Sequence, residues 1–333
     1  MRPGGGDRQA EYRGDALGPR QIPVRVWGVL LRRAAGHFVS LRLPVVSAGI
    51  AFFAVLSIAP MLICAVTLYA VVTSPAQASD QLSDMTAGLP SELQPVVDSQ
   101  VRSVTTASGA ALTVHGVGAL FLAMTTATTA MMSLIEALTL VYRETETRTF
   151  LRRLVLAMSF VAGGVVLLGG VITVGSDASR AMGQAPDLLR SAVPVLAWSA
   201  SAVLVSVLLA VLYRFGPDRR RARWRWTTWG ATGATALWVS TTFALFAYVE
   251  RLGTYGTTYG SLGGAAIGMF WVWLSVLLVL AGAAVNAESE HHTTRDSTVG
   301  PERPAGERGA AVADNTSPLP EGGRGAAPRD VDA

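Results

Sequence analysis

Residues 44–79 read PVVSAGIAFFAVLSIAPMLICAVTLYAVVTSPAQAS, and none of them is charged. A bilayer core about 30 Å thick needs about 20 apolar helical residues to cross it. Residues 44–72 supply a first span of that kind, and working outward the pattern recurs at 110–135, 154–175, 193–213, 228–249 and 262–287. Backbone amides inside a bilayer have no water to bond, so an apolar run of this length crosses as a helix. The expected fold is all-α: a polytopic membrane helical bundle of about six transmembrane helices.

Composition agrees. Hydrophobic residues make up 50%, charged residues 15%, and the mean hydropathy is +0.40. A soluble domain carries roughly 25% charged residues. The net charge of +4 comes from arginines clustered beside the spans, without a single lysine, and does not argue for nucleic acid as a partner. Membrane lipids are the expected partners. Cys64 is the only cysteine, which excludes an intramolecular disulfide or a cysteine metal site.

The arginines also set the topology, because cytoplasmic loops carry the excess of positive residues. Arg25, Arg32, Arg33 and Arg42 precede the first span. Arg143, Arg148, Arg152 and Arg153 lie between the second and third, and six arginines from Arg214 to Arg225 lie between the fourth and fifth. The alternate connections hold only Arg102, then Arg180 and Arg190, then Arg251. Both termini are therefore expected in the cytoplasm, as a multi-pass protein of a bacterial plasma (inner) membrane.

Outside the spans, residues 1–22 and 289–333 are rich in Gly, Pro and Arg and are expected to be disordered tails. The N-terminal segment lacks the short apolar stretch of a cleavable signal peptide. Over 23–43, Val24, Trp27, Leu30, Leu31, Ala34 and Phe38 recur at helical spacing among arginines. Two structures fit: an amphipathic helix on the inner leaflet, or an extension of the first span. Residues 80–109 form a long extracytoplasmic loop. In it Ser91 with Gln94 resembles a capping box, and Leu93, Val97, Val101 and Val104 repeat at helical spacing. The transmembrane domain as a whole runs from 44 to 288.

Several motifs stand in order along these spans. Ser57 and Pro60 lie in the first span, where a proline removes one backbone hydrogen bond and kinks the helix; Ser57 or a neighbouring helix is a candidate partner for the freed carbonyl. Tyr142 to Phe150 follows the second span. Tyr255-Gly256-Thr257-Thr258-Tyr259-Gly260-Ser261 precedes the sixth, which contains Trp271 and Trp273 and ends Gly282-Ala283-Ala284-Val285-Asn286-Ala287-Glu288. Together these resemble the YihY/BrkB family of bacterial inner-membrane proteins over roughly Val24 to Glu288. The resemblance implies six helices with both ends inside. It also implies a role in envelope integrity, with lipid transport as one idea of what that role is; ribonuclease and virulence-factor names have been attached to the family too. This chain departs from the pattern at Phe52-Phe53, where a tyrosine is usual, at Thr139, where an asparagine is common, and at Ala284, where an acid is common.

No residue pattern points to catalysis. His37, His115, His291 and His292 form no cluster with carboxylates, as metal-dependent RNA hydrolysis requires. No phosphate-binding Gly-rich loop or nucleophile elbow is present. No cofactor or metal is expected, and His291-His292 reads as incidental to the tail. Polar groups at membrane depth are the default candidates for function. At the inner end these are Glu136, Tyr142, Arg143, Arg148 and Asn286, read either as a polar network gripping headgroups or as a salt-bridged anchor. At the outer end they are Tyr255, Tyr259, Gly260 and Ser261, read either as a gate or as a tight turn with aromatic anchors. Two functions follow from these alternatives. One is a non-enzymatic protein that moves or organises lipids or another amphiphile. The other is a scaffold recruiting partners through its arginine-rich loops.

Overall fold

In a computed structural model, the structure describes residues 18–72, 109–182, 187–251 and 255–316. Its helices are α1 (Val24–Ser40), α2 (Leu43–Val72), α3 (Gly109–Val141), α4 (Phe150–Met182), α5 (Asp187–Phe215), α6 (Trp224–Arg251), α7 (Tyr255–His291) and the short α8 (Ala311–Asp314). Six of them, α2 to α7, are long and apolar enough to cross a membrane. Among the described residues there is no β-strand, only an isolated bridge between Ala222 and Thr298. The extracytoplasmic helices expected around residues 91–104 fall outside the described residues, as do the tips of both tails.

α1 is a separate helix. Leu41 and Arg42 interrupt it, and Arg42 adopts a left-handed φ of 51°. The Leu41 N–H then bonds the His37 carbonyl at 3.1 Å and the Arg42 N–H bonds Val39 at 2.9 Å, which closes the last turn. α1 is therefore not a continuous extension of the first span. Leu30 and Ala34 are buried, while Arg25 and Arg32 are exposed. Its main partner is α7 rather than α2, the span that follows it.

α7 is the hub, in contact with α1, α2, α3, α6 and α8. α2 packs against both α3 and α7; α4 lies on α3, and α5 on α6. Among the described residues α4 and α5 hardly touch, although they are consecutive. The spans therefore form an arc in the order α4, α3, α2, α7, α6, α5, with α4 and α5 at its ends. The tightest crossing is between α6 and α7. A Cβ on Gly230 would fall 2.4 Å from the Gly282 carbonyl oxygen, and one on Gly282 would fall 2.6 Å from the Tyr213 hydroxyl. Such close approach is the use of small residues in membrane helix packing.

Several polar groups within the spans find partners inside the fold, as a low-dielectric surrounding favours; Ser47 Oγ is buried without one. The indole N–H of Trp273 donates to the Pro44 carbonyl at 2.9 Å, Trp238 to Ser275 Oγ at 2.9 Å, and Trp271 to Thr242 Oγ1 at 3.2 Å. Thr125, Thr126 and Thr129 turn back onto carbonyls of their own helix. Ser57 does likewise, donating to the Ala54 carbonyl at 2.7 Å. It therefore does not serve the carbonyl freed by Pro60, which belongs to Leu56, and α2 continues through that proline.

Two sequence expectations are corrected. The stretch Tyr255–Ser261, read as a loop or gate before the last span, forms the first turns of α7. Gly256 and Gly260 weaken a helix by about 1 kcal/mol each relative to alanine. In a bilayer the obligation to bond every amide outweighs that cost. The C-terminal segment is not a disordered tail from residue 289. Ser289, Glu290, His292, Ser297, Thr298 and Val312 are almost completely buried. Its composition is polar, but it buries those polar groups against the arginine-rich loops instead of building an apolar core.

Candidate functional site

Among the described residues the buried core concentrates at the arginine-rich end, where the loops after α3 and α5 meet the chain that follows α7. α3 stops at Arg143, whose left-handed φ of 59° costs a non-glycine residue about 1–2 kcal/mol. The turn offsets part of this by bonding the Glu144 N–H to the Thr139 carbonyl at 3.0 Å. The side chain offsets more: Arg143 forms an ion pair with buried Glu288, and its Nη1 lies 3.0 Å from His291 Nε2. Arg143 thus pairs with the end of α7. Glu136, expected near it, is exposed and meets Arg153 at 3.7 Å instead.

Beside this pair sits an ion pair with both side chains fully buried. Arg219 Nη1 and Nη2 donate to Glu290 Oε2 and Oε1, both at 2.9 Å, with neither side chain exposed. Ser297 Oγ adds a third bond to Glu290 at 3.1 Å. The Arg219 guanidinium lies 4.1 Å from the centre of the Tyr142 ring. Burial alone would lower the Arg219 pKa, but the charge and hydrogen bonds of Glu290 outweigh it and raise the value, so Arg219 stays charged. Burial also raises the Tyr142 phenol above its usual range, and it stays neutral.

Arg148 closes the α3–α4 loop onto the α5–α6 loop. Its Nε pairs with Asp218 at 3.1 Å, and its Nη1 and Nη2 donate to the Gly216 and Pro217 carbonyls at 2.8 and 2.6 Å. Burial raises the Asp218 carboxyl, but bonds from the Thr147 hydroxyl and N–H, and the Arg148 charge, bring it below the ordinary value. Asp218 N–H donates to Thr139 Oγ1 at 3.3 Å. Thr139 therefore supplies a side-chain acceptor at a position where an asparagine was expected. Ala284, where an acid was expected, is buried in the apolar core. Asn286 is wholly buried: its Oδ1 accepts the Gly230 N–H at 2.8 Å and its Nδ2 donates to the Thr227 carbonyl at 3.1 Å. It is a strut between α6 and α7.

The C-terminal segment completes a collar around this end. Arg223 Nε donates to the Thr298 carbonyl at 2.9 Å, and the Arg220 N–H to Gly309 at 2.9 Å. The Ala311 N–H donates to Glu144 Oε1 at 2.6 Å. Burial raises the Glu144 carboxyl above its usual range. His292, read as incidental from sequence, is buried here.

Two hollows remain. One of about 460 Å³ lies between the start of α4, the end of α5 and the α5–α6 loop, and is lined by Arg148, Arg152, Arg214, Arg219, Arg221 and Asp218. The other, about 540 Å³, is a lateral groove between α5 and α6, where Ser206, Thr232, Thr235 and Ser240 stand among alanines and valines. Tyr255, Tyr259, Gly260 and Ser261 lie in the first turns of α7, and their side chains are outside the described residues.

Comparison with known proteins places this geometry. The family model described as virulence factor BrkB matches residues 34–307. The chain belongs to that family. BrkB relatives include the ribonuclease-like protein YfkH of Bacillus subtilis, 28% identical over 72% of this chain and 88% of the relative. A UPF0761 membrane protein of Nitrosospira multiformis is also 28% identical, over 73% of this chain. This chain spans only 56% of that relative's length. No solved structure matches significantly. The BrkB match extends past the last span to residue 307, beyond the limit of Glu288 set by sequence motifs, and so takes in most of the collar.

The collar partners missed from sequence are Glu288, Glu290, Asp218 and Arg219. A signal for them was present: the alternating acids Glu288 and Glu290 leave the last span opposite an arginine cluster with few acids of its own.

Proposed function

We propose that this BrkB-family membrane protein is a non-catalytic handler of lipids or a similar amphiphile in a bacterial plasma membrane, and that it supports envelope integrity in that way. The observation that carries the reading is the groove between α5 and α6. It sets four hydroxyl side chains along the flank of a transmembrane bundle, and Ser206 and Thr232 lie 3.3 Å apart across it. A lateral groove with hydroxyls at membrane depth gives a polar headgroup a route without the burial of a charge, which is far more costly. The sparse contact between α4 and α5 leaves the arc of spans open to the side in its described half. The scaffold alternative is less well supported, because the arginine-rich loops turn inward onto the C-terminal segment.

The collar carboxylates Glu288, Glu290 and Asp218 are each engaged by an arginine. The test is movement of fluorescent lipids between leaflets of vesicles containing the purified protein. The wild type should accelerate it, and Ala236→Trp, which fills the groove, should return it toward the protein-free rate. Wild-type vesicles indistinguishable from empty ones across several lipid classes would favour the scaffold.

A further inference from the structure

We propose that the arginine-lined hollow between the start of α4 and the end of α5 is a binding site for the phosphate of an anionic phospholipid. The inference rests on the lipid-handling reading and names its ligand class and seat.

The charge inventory is one-sided. Five arginines line the hollow with a single carboxylate, Asp218, and Arg148 already occupies it. Arg219 is held from behind by Glu290. Arg152, Arg214 and Arg221 have no carboxylate partner among the described residues. Arg214 is held by its faces, with its guanidinium 4.3 Å from the centre of the Trp224 ring, and its Nε and Nη1 are buried without an acceptor. Arg221 rests on Phe215 at 4.8 Å. A buried guanidinium donor without an acceptor is costly. An aromatic ring leaves the guanidinium N–H groups without an acceptor, and their fork matches a phosphate.

The start of α4 adds to the imbalance. A helix N-terminus carries a partial positive charge and favours acids in its first turn. α4 has none there and has Arg152 and Arg153 instead. Cations at the positive end of a 33-residue helix repel it, and an anion in the hollow would relieve both.

The membrane level and the adjoining surface point to a lipid rather than a soluble anion. Phe150 opens one apolar span and Phe215 closes another, so the hollow lies at their boundary. Val203, Val207 and Arg214 stand at helical spacing on one face of α5, and Val207 is about 10 Å from Arg214 along the axis. Val203 and Val207 also line the lateral groove. On α4 the exposed Val155 and Met158 follow Arg152. A phosphate seated among the arginines therefore has apolar surface leading from it toward the acyl-chain layer.

Native mass spectrometry of the full-length protein, released from detergent with phosphatidylglycerol or phosphatidylcholine, tests the site. The wild type should retain phosphatidylglycerol in preference. Arg152→Gln/Arg221→Gln should weaken that retention by about tenfold and leave phosphatidylcholine unchanged. Arg25→Gln/Arg32→Gln, the same charge loss on exposed positions of α1, should change it less than about twofold. Arg152→Gln alone, at an exposed position, should fold normally and show a smaller loss in the same direction. Equal retention of the two lipids by the wild type, or equal losses in the pocket and α1 variants, would overturn the assignment. So would displacement of phosphatidylglycerol by millimolar inorganic phosphate, which would make the hollow a soluble-phosphate site. If retention fails while lipid movement in vesicles persists, the seat is wrong and the lipid-handling function stands.

Discussion

Removing Glu290 should open the collar while leaving the six spans inserted. The structure allows the magnitude to be bounded. Arg219 and Glu290 are completely buried, joined by two bonds of 2.9 Å, and Arg219 lies over the Tyr142 ring. Deleting one partner of such a pair costs about 3–5 kcal/mol, because a charge stays buried without its counter-ion. The chain has a way to avoid the full cost: the segment after His291 can lift and let water reach Arg219. The observed loss is then capped by the free energy of that local opening. For Glu290→Gln we expect about 3 kcal/mol, which raises the open fraction about a hundredfold. Limited trypsin digestion in detergent reads it directly, because Arg295, Arg303 and Arg308 lie in the segment. Replacing both partners, as in Arg219→Met/Glu290→Leu, removes the stranded charge and should recover most of the protection. Unchanged cleavage in Glu290→Gln, or a double variant as labile as the sum of the two singles, would refute the reasoning.

Gly230→Ala should lower the thermal stability of the detergent-solubilised protein by about 1–3 kcal/mol, because its Cβ would meet both Gly282 and Asn286; an unshifted melting curve would contradict the close crossing. The collar should open in acid. In Asp296 burial raises the carboxyl pKa, but bonds from the Thr298 N–H and hydroxyl and the Arg303 N–H outweigh it and lower the value, as happens in Asp218. Lowered carboxylates stabilise the fold above their unfolded value of about 4 and lose that contribution as pH falls through the folded value. Glu144, shifted upward by burial, acts in the opposite sense: its net contribution to stability falls as pH rises from its unfolded toward its folded value, although the ionised carboxylate is the better acceptor for the Ala311 N–H. Trypsin-independent protease cleavage of residues 292–316 should therefore increase below about pH 4, and Asp296→Asn should flatten that response. Reporter fusions after Arg148, Arg221 and Arg295 should register as cytoplasmic and those near Asp98 and Ala185 as external; an external signal after Arg221 would invert the topology.

The spans were legible because membrane insertion is decided by long-range apolarity, which a single chain displays openly. The positions of Asn286 and Tyr142 were legible as special, since polar groups at membrane depth are rare, but their roles were not. Asn286 could be assigned to a strut only once Gly230 and Thr227 were found opposite it. Glu136 illustrates the reverse failure. The sequence grouped it with Arg143 at the inner end, yet α3 ends in a left-handed turn that swings Arg143 to α7 and leaves Glu136 outside with Arg153.

The C-terminal segment was misjudged for a physical reason that bears on function. Low hydrophobicity predicts disorder when burial of apolar surface must offset the entropy of folding. Here the segment is ordered by hydrogen bonds and ion pairs, several of them to loops that the bundle already holds in place. Arg308 donates to carbonyls at Thr294 and Ala313, and Asp314 accepts from Gly306, Arg308 and Gly309. The same setting explains why arginines from one loop divide between two roles. Arg219 and Arg223 face the segment and are consumed by it, through Glu290 and the Thr298 carbonyl. Arg214 and Arg221 line the hollow beside α4 and rest, among the described residues, on aromatic faces. A topology signal alone would need charge but no such division. The collar orders the loop, and the ordering holds the remaining guanidinium groups at the ends of two apolar spans, where the proposed lipid phosphate would sit.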